Sequence, residues 1–320
     1  MMTNQRFSII GGLMQTSSHI LLIRPVAFSF NHETALTNAF QKTTSLDPAK
    51  LLHEVQSEFD AMVAKLRTKK VNLLQIDDTA EPAKPDAVFP NNWISTHADG
   101  TLVLYPMCTL NRRAERRADI VEKLQQSFKV SRKIDLSTHE LENVFLEGTG
   151  SIVFDHQHKR AYACLSPRTN SKLLNTLVQQ LGYTAVTFSA HDENKQEIYH
   201  TNVMMCIGSR FAVVCLESIT DLNERKLVSN TLKADGLELI EITFAQMQQF
   251  CGNMLELKNR DGKTLLALSS SAFTALNSQQ KQQISKFAEF VPLSIPTIET
   301  VGGGSVRCMM AEIFLTPRAS

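Results

Sequence analysis

A structural unit of roughly 50 residues recurs along the chain, and its regular spacing constrains the fold more than any other feature. Each unit reads as a polar or glycine-containing turn, an apolar strand, a second turn, a second apolar strand, a helix and a third strand. The opening turns end at residues 92, 150, 202, 253 and 305, so successive units begin 58, 52, 51 and 52 residues apart. A fixed period of this size predicts a repeat or propeller architecture, against the alternative of an ordinary mixed α/β domain with accidental spacing.

The fifth unit is incomplete, because only one strand, predicted over 306–314, follows its opening turn. A strand predicted over 19–28 and a helix predicted over 48–68 supply the missing parts if the two ends of the chain meet. Closure also removes exposed sheet edges. We therefore predict an α/β fold with pseudo-fivefold repeats, a five-bladed αβ propeller closed by the N- and C-terminal segments. We expect residues 19–320 to form a single domain, which the residues described below make a catalytic one, and residues 1–18 to form a poorly ordered N-terminal extension.

The composition excludes several classes of protein. The chain has 33 Lys and Arg against 32 Asp and Glu, so no basic surface for nucleic acid is expected. No segment approaches the roughly 20 apolar residues of a spanning helix, so no membrane partner is expected. The six cysteines show neither zinc-like nor disulfide-framework spacing. We expect free thiols, a cytoplasmic location, no metal and no cofactor.

Chemically competent residues recur in the opening turns, which point toward the axis at one end of such a ring. The turns carry Asn91 and Asn92; Glu147; His200 and Asn202; Asn253; and Cys308 just beyond three glycines. A thiol, an imidazole and a carboxylate together suit nucleophilic catalysis. Cys308 would attack as the thiolate, and His200 would serve as general acid to the departing amine and then as general base to water. Glu147 would orient His200 or hold substrate N–H groups.

Several motifs resemble the guanidine-modifying superfamily, also called the amidinotransferase or pentein superfamily. They are LEGTG at 146–150, a His at the head of the third unit, and GGGSVRC at 302–308. The resemblance covers about residues 19–317 and implies the five-bladed αβ propeller. The segment LSPRTN at 165–170 is similar to one whose arginine binds the substrate α-carboxylate, which implies that role for Arg168. RRAE at 112–115 resembles a second carboxylate-binding segment, with Arg112 the better match and Arg113 the alternative.

The departures from the superfamily pattern bear on the substrate. DAVFPNNW at 86–93 resembles a strand of the relatives whose Asp positions substrate, which implies that role for Asp86. Asn91 and Asn92 stand at positions where the relatives carry one acid, or sometimes two, to bind a guanidinium. After the catalytic His, several relatives have His-x-Asp, and Asn202 stands at the position of that Asp. An asparagine can donate to a carbonyl and accept from an NH₂ group without a buried charge. The pattern is therefore similar to the citrulline hydrolase branch, in which the ureido group is hydrolysed to ornithine, ammonia and carbon dioxide through a covalent Cys308 intermediate.

Two other functions stay open at this point. One is a guanidine hydrolase or deiminase acting on arginine, methylated arginine or a related compound, with Glu147 as the counter-charge. The other is a non-catalytic propeller that binds a partner, like the ribosome anti-association factors with this fold. We expect a small-molecule amino-acid substrate as the main partner and leave a homodimer open. Residues 190–197 are a candidate lid because they are polar and precede His200.

Overall fold

The computed structural model describes residues 14–318. In this range the strands are β1 (His19–Arg24), β2 (Asn72–Asp77), β3 (Ile94–Thr96), β4 (Thr101–Leu104), β5 (Arg132–Asp135), β6 (Val153–Asp155), β7 (Arg160–Cys164), β8 (Thr184–Phe188), β9 (Met205–Ile207), β10 (Phe211–Val214), β11 (Glu238–Glu241), β12 (Leu255–Lys258), β13 (Thr264–Ser269), β14 (Glu289–Leu293) and β15 (Ala311–Ile313).

The α-helices are mostly short, and they alternate with the strands. They are α1 (His32–Ala35), α2 (Pro48–Thr68), α3 (Leu110–Arg113), α4 (Ala118–Ser127), α5 (Gly148–Ser151), α6 (Ser171–Leu181), α7 (Thr201–Met204), α8 (Leu222–Ala234), α9 (Phe244–Met247), α10 (Ser270–Ala275) and α11 (Ser278–Ser285). Three 3₁₀ turns (Pro90–Asn92, Ser137–Glu142 and Leu216–Ser218) and a π-helical turn (Ile298–Gly302) complete the set for residues 14–318.

The strands form five three-stranded sheets with one shared arrangement. In each sheet the middle strand pairs antiparallel with one neighbour and parallel with the other. Four sheets use consecutive strands, namely β3–β4–β5, β6–β7–β8, β9–β10–β11 and β12–β13–β14. Their parallel pairs are joined by crossover segments that contain the longer helices, as parallel strands require.

The fifth sheet joins the two ends of the described chain, as the incomplete fifth unit predicts. Its order is β15–β1–β2, with His19 opposite Ile313 in the antiparallel pair and Ile20 opposite Leu73 in the parallel pair. Helix α2 crosses between β1 and β2. The chain is therefore a mixed α/β fold built from five similar sheets.

Helix α2 shows why the sequence specifies these elements. Asp47 caps it by accepting a hydrogen bond from Lys50 N at 3.0 Å, and Pro48 occupies the first helical position, where no N–H is needed. Its apolar residues lie on one face and are buried. Each such burial contributes roughly 1.5–3 kcal/mol. The observed bounds equal the predicted ones.

The opening turns differ from the prediction, because a short helical turn precedes the first strand in three units. The turn Pro90–Asn92, α5 and α7 occupy positions predicted as simple turns or strand beginnings. The following strands β3, β6 and β9 consequently begin one to two residues later than predicted. Helix α5 contacts both Pro90–Asn92 and α7, so these turns pack on one another.

The predicted N-terminal extension divides at the start of the described residues. Residues 1–13 lie outside them, whereas Gln15, Thr16 and Ser17 are buried. The Gln15 amide donates to Phe154 O at 2.9 Å and accepts from His156 N at 2.7 Å. Residues 15–17 therefore belong to the folded body.

Among residues 14–318, no helix has the length and apolar character needed to cross a membrane.

Candidate active site

The C-terminal cysteine lies on a turn, not on the strand predicted for residues 306–314. Gly303 has a positive φ of 64°, a conformation that favours glycine. Residues 306–309 then form a turn in which Cys308 N donates to Ser305 O at 2.9 Å. Strand β15 begins only at Ala311, because the turn directs the backbone amide of Cys308 to Ser305 instead of a neighbouring strand. The Cys308 side chain is buried among the other opening turns.

Two asparagine amides contact the sulfur of Cys308. Asn253 Nδ2 lies 3.2 Å from Cys308 Sγ and Asn202 Nδ2 lies 3.5 Å from it. The orientation of the Asn253 amide is fixed, because its Oδ1 accepts from Arg307 N at 3.0 Å. Asn253 Nδ2 also donates to Asn202 O at 2.9 Å. Neutral N–H donors therefore surround the thiol on two sides and can stabilise negative charge on sulfur.

The predicted histidine and glutamate form a buried pair. His200 Nε2 and Glu147 Oε2 are 2.8 Å apart, and both side chains are almost fully buried. A carboxylate only accepts, so Nε2 carries the ring proton and Nδ1 is the basic nitrogen of the neutral ring. A Cβ on Gly150 would lie 2.7 Å from His200 Nδ1 and 2.3 Å from Asn92 Nδ2. Only glycine leaves room for both side chains at this point.

The protonation states follow from burial and charge. Burial lowers the pKa of His200 to about 4, although the hydrogen bond to Glu147 acts in the opposite direction. Burial alone would raise the pKa of Glu147, but Arg168 and the hydrogen bond from His200 hold it well below its usual range. His200 is therefore a neutral ring at neutral pH, ready to accept a proton first and to donate it afterwards.

Glu147 has little capacity left for a ligand. Its Oε1 accepts from Cys108 N at 2.9 Å, and its Oε2 also lies 3.4 Å from Arg168 Nη1. Of the two roles predicted for Glu147, this arrangement favours the orientation of His200.

Only one of the two carboxylate oxygens of Asp86 accepts hydrogen bonds from the described residues. Its Oδ2 accepts from Asn31 Nδ2 at 2.8 Å and from Thr34 Oγ1 at 3.2 Å, and lies 3.8 Å from Arg112 Nε. Its Oδ1 is buried without a hydrogen-bond partner among the described residues. Burial raises the pKa of Asp86, and Arg112 opposes this shift. The unpaired oxygen can accept a hydrogen bond from a substrate N–H group.

Arg112 is held mainly by the protein itself. It makes a bidentate ion pair with Glu115, with both N–O distances at 2.8 Å, and donates to Phe89 O at 3.3 Å. Its Nη1 donates to Asn92 Oδ1 at 2.9 Å. That bond fixes the Asn92 amide, so Asn92 presents its NH₂ group, which is buried without a partner among residues 14–318.

Arg168 is also buried, and it faces a segment near the N-terminus. Its Nε donates to Thr37 Oγ1 at 3.1 Å, its Nη2 donates to Thr34 O at 3.0 Å, and its guanidinium lies 4.9 Å from the centre of the Tyr199 ring. Tyr199 Oη donates to Gly303 O at 2.9 Å. The aromatic ring therefore connects this arginine to the glycines before the cysteine.

Residues 31–41 cover the site. Besides the contacts to Asp86 and Arg168, Asn38 Nδ2 donates to Gly303 O at 3.2 Å and Gln41 Nε2 donates to Val301 O at 3.3 Å. The predicted lid, residues 190–197, instead forms its own turn, closed by a bridge between His191 and Glu197, and does not line the cavity at Cys308.

These side chains line a partly open cavity of about 20 Å³. Six of the predicted site residues line it: Asp86, Asn92, Arg112, Arg168, His200 and Cys308. Glu147 and Asn202 stand behind this lining and contact His200 and Cys308, respectively. Asn91 is fully buried but does not line the cavity. Arg113 lies outside it, where its Nε is 3.4 Å from Glu140 Oε2.

The sequence reasoning missed Thr34, Asn38 and Tyr199, which also line the cavity. It noted Asn253 in an opening turn but gave it no role. The equivalent repeat position is a signal that identifies Asn253, and the position next to His200 is one for Tyr199. The cover segment lies outside the repeats and offers no comparable signal.

A cluster of three possible metal ligands lies elsewhere, at Asp155, His158 and Asp235. His158 Nδ1 is already 2.8 Å from Asp155 Oδ2, and Asp235 pairs with Arg160. None of these residues lines the cavity at Cys308.

A family model described as "N,N dimethylarginine dimethylhydrolase, eukaryotic" matches residues 24–315. The chain belongs to this family. The match confirms the predicted membership of the guanidine-modifying superfamily. No curated protein sequence matches it.

Solved structures share the fold at low sequence identity. Apo ArgZ, an arginine dihydrolase from the ornithine–ammonia cycle in Cyanobacteria, is 13% identical with a TM-score of 0.71, over 94% of this chain and 41% of that one. The N-terminal domain of ArgZ, covalently bound to a reaction intermediate, gives 13% identity and a TM-score of 0.70, over 92% and 97% of the two chains. The chain thus spans about two fifths of full-length ArgZ.

A third similar structure is the dimethylarginine hydrolase (DDAH) of Pseudomonas aeruginosa, a cysteine-to-serine mutant in complex with citrulline. It is 14% identical with a TM-score of 0.64, over 93% of this chain and 100% of that one. These likenesses support the fold described above.

Proposed function

We propose that the chain hydrolyses the ureido group of citrulline to ornithine, ammonia and carbon dioxide. The observation that carries this proposal is the orientation of Asn92. Arg112 occupies its oxygen, so Asn92 offers an NH₂ group that has no acceptor among the described residues. A ureido oxygen is such an acceptor, whereas a guanidinium has N–H donors and no acceptor.

The chemistry of the residues supports a two-step reaction. His200 takes the proton of Cys308, and the thiolate adds to the ureido carbon. One C–N bond breaks, and the departing amine takes the proton from His200, which leaves a thiocarbamate on Cys308. His200 then accepts a proton from water, the hydroxide adds to the carbonyl carbon, and the C–S bond breaks. The carbamate that is released loses carbon dioxide and its amine, so one water is consumed overall.

The positions of the charged groups suit a free amino acid. Arg168 lines the cavity and we assign it to the substrate α-carboxylate, because a guanidinium forms paired hydrogen bonds with a carboxylate. Arg112 contributes indirectly, since Glu115 and Asn92 occupy most of its donors. Asp86 Oδ1 would accept from an N–H of the ureido group.

For the whole molecule we propose a closed ring of five blades that holds these turns together. First strands of different sheets contact each other, namely β15 with β3, β6 with β9, and β9 with β12. The sheet β15–β1–β2 would then be the blade shared by the two ends. Six free thiols support a reducing, cytoplasmic environment for a cysteine enzyme.

A guanidine substrate is the second candidate, and the charge balance of the site favours it. Two arginines, Arg112 and Arg168, face three buried carboxylates, Asp86, Glu115 and Glu147, which leaves a formal charge of −1. A guanidinium would neutralise this charge. With citrulline bound, the charge could be neutralised only by protonation of Asp86, whose pKa is raised by burial. Among solved structures with this fold, one of an AgrE mutant is a complex with L-arginine and that of DDAH from Pseudomonas aeruginosa is a complex with citrulline, so both kinds of molecule are compatible with the fold.

Steady-state assays of the purified protein with citrulline, arginine, methylated arginines and agmatine separate the two candidates. We expect citrulline turnover with ornithine as the product by mass spectrometry, and none from Cys308→Ala. Citrulline turnover far below that of arginine would refute the first proposal. Equal ornithine from wild type and Cys308→Ala would refute the role of the cysteine.

Asn92→Asp tests the observation behind the proposal directly. The change replaces the NH₂ donor by a carboxylate, so the ratio of citrulline to arginine turnover should fall by about 100-fold. Asn194→Asp, in an exposed turn, is the matched control. An unchanged ratio in Asn92→Asp would show that Asn92 does not select the substrate.

A further inference from the structure

A second cavity lies behind the catalytic cysteine, and some of the polar atoms of its lining residues have no hydrogen-bond partner among the described residues. This rear cavity, of about 30 Å³, has a polar lining of Gln15, His156, Asn202, Glu256, Arg307 and Glu312. Asn202 joins the two cavities, because its Nδ2 lies 3.5 Å from Cys308 Sγ while the residue also lines the rear cavity.

Two acceptor atoms in the rear cavity lack partners among the described residues. They are Asn202 Oδ1 and Glu256 Oε1, and their side chains belong to residues only 1% and 3% exposed. Glu256 Oε2 is already held by Ser209 N at 2.7 Å. A buried acceptor without a donor is costly, and an uncompensated buried carboxylate is more so.

The charge of the cavity points to a cation as the missing partner. Arg307, the one Lys or Arg among the described lining residues, is 3.2 Å from Glu312 Oε2 and also donates to Met310 O. Arg307 therefore balances Glu312, whereas Glu256 forms no ion pair among the described residues and is influenced by Lys258 only from a distance. Burial raises the pKa values of Glu256 and Glu312 and lowers the pKa of His156 well below its usual value, so the His156 ring is neutral.

The N-terminal segment forms one side of the cavity through Gln15. Gln15 Nε2 donates to Phe154 O and Ile207 O, and Lys258 N donates to Ser17 O at 3.3 Å. The segment thus spans β6, β9 and β12. An ion held in the cavity would depend on the two free acceptors.

We propose that the rear cavity binds ammonium or another monovalent cation of that size, such as K⁺, between Glu256 Oε1 and Asn202 Oδ1. The bound cation compensates the carboxylate and polarises the Asn202 amide, which strengthens donation from its Nδ2 to Cys308 Sγ. Ammonium is also the product expected under the proposed function, but binding of the cation does not depend on turnover.

Thermal unfolding at constant chloride tests this site without any substrate. We expect Tm to be about 3 °C higher in ammonium or potassium chloride than in tetramethylammonium chloride, whose cation is too large. In Glu256→Gln this difference should fall to less than a third, while Glu193→Gln, an exposed carboxylate, should keep it. An equal difference in wild type and Glu256→Gln, or none in wild type, would overturn the proposal.

Equilibrium dialysis of the wild-type protein with radioactive rubidium, a K⁺ analogue, covers the case in which Glu256→Gln does not fold. One ion bound per chain supports the site, and stoichiometric displacement by ammonium or by potassium tells which of the two it prefers. No bound rubidium, as expected if ordered water alone fills the cavity, would overturn it. Because neither measurement uses citrulline, its failure is distinct from a failure of the proposed function.

Discussion

At the scale of single residues, the site uses amides where charged groups would be expected. Cys308 Sγ is contacted by the amides of Asn202 and Asn253, and Asn92 offers a third NH₂ group nearby. An amide can donate a hydrogen bond to the sulfur and to a neutral carbonyl without the cost of burying another charge. The neutral hydrogen-bond donors around the Cys308 sulfur therefore depend on side-chain orientation as much as on residue type.

Asn253→Asp should impair formation of the thiolate, because it replaces the NH₂ group that contacts Cys308 Sγ by a carboxylate. We expect alkylation of Cys308 by iodoacetamide to move to higher pH and kcat to fall by about 100-fold, since less thiolate forms and the anionic intermediate is repelled. Asn194→Asp in an exposed turn serves as the control. An unchanged pH profile of alkylation would show that Asn253 does not influence the formation of the Cys308 thiolate.

The sequence predicted which of the proposed catalytic residues lie together better than it predicted their surroundings. Cys308, His200 and Glu147 lie in or beside equivalent opening turns, so the sequence alone indicates that a thiol, an imidazole and a carboxylate belong to one site. The ion pair of Arg112 with Glu115 was not predictable, because it depends on how the break between α3 and α4 orients two side chains. Arg113, the neighbouring alternative, faces Glu140 outside the cavity for the same reason.

At the scale of elements, the short helical turns are the main difference between prediction and structure. The sequences GTGS in α5 and TNVM in α7 contain glycine and β-branched residues, which have low helix propensity. Contacts among α5, α7 and Pro90–Asn92 hold these turns in place. A helical turn of four residues is too short to show an apolar periodicity in the sequence, whereas the 21 residues of α2 show one.

The cover segment 31–41 should contribute to substrate binding through Arg168. Thr37→Val keeps the shape of the side chain but removes the acceptor for Arg168 Nε, 3.1 Å away. We expect KM for citrulline to rise about 10-fold with a much smaller change in kcat, because the arginine loses its fixed orientation but the reacting groups do not. Thr43→Val, at an exposed position of the following loop, is the control. A fall in kcat at constant KM would contradict this assignment.

At the scale of the whole molecule, the repeat spacing predicted how the two ends of the chain meet. The parts missing from the fifth unit identified the predicted strand 19–28 and the predicted helix 48–68 as its complement, and β15 pairs with β1. The same reasoning placed residues 15–17 outside the fold, because a three-residue segment that bonds to several sheets has no pattern of its own. Its burial appears only when the sheets have been assembled.

Buried histidines should make the stability of the assembled protein fall in mild acid. Burial lowers the pKa of His97 to about 4, and its Nδ1 has no partner among residues 14–318. The unfolded chain takes up the proton near pH 6.5, whereas the folded protein does so only near pH 4. Stability from this group is therefore complete above pH 6.5 and is lost as the pH falls toward 4, by about 2 kcal/mol at pH 5.

His97→Gln tests this contribution, because glutamine does not titrate and can still bond to Ser95 Oγ, which lies 3.0 Å from His97 Nε2. Urea unfolding at pH 7 and pH 5 should show a loss of unfolding free energy that is smaller by about 2 kcal/mol in the variant than in wild type. Buried carboxyls with raised pKa values, such as Asp86, act in the opposite direction but equally in both proteins, so the comparison removes them. His32→Gln, at an exposed position, should behave as wild type. An equal loss in His97→Gln and wild type would mean that His97 is already protonated, or hydrated, in the folded protein at pH 5.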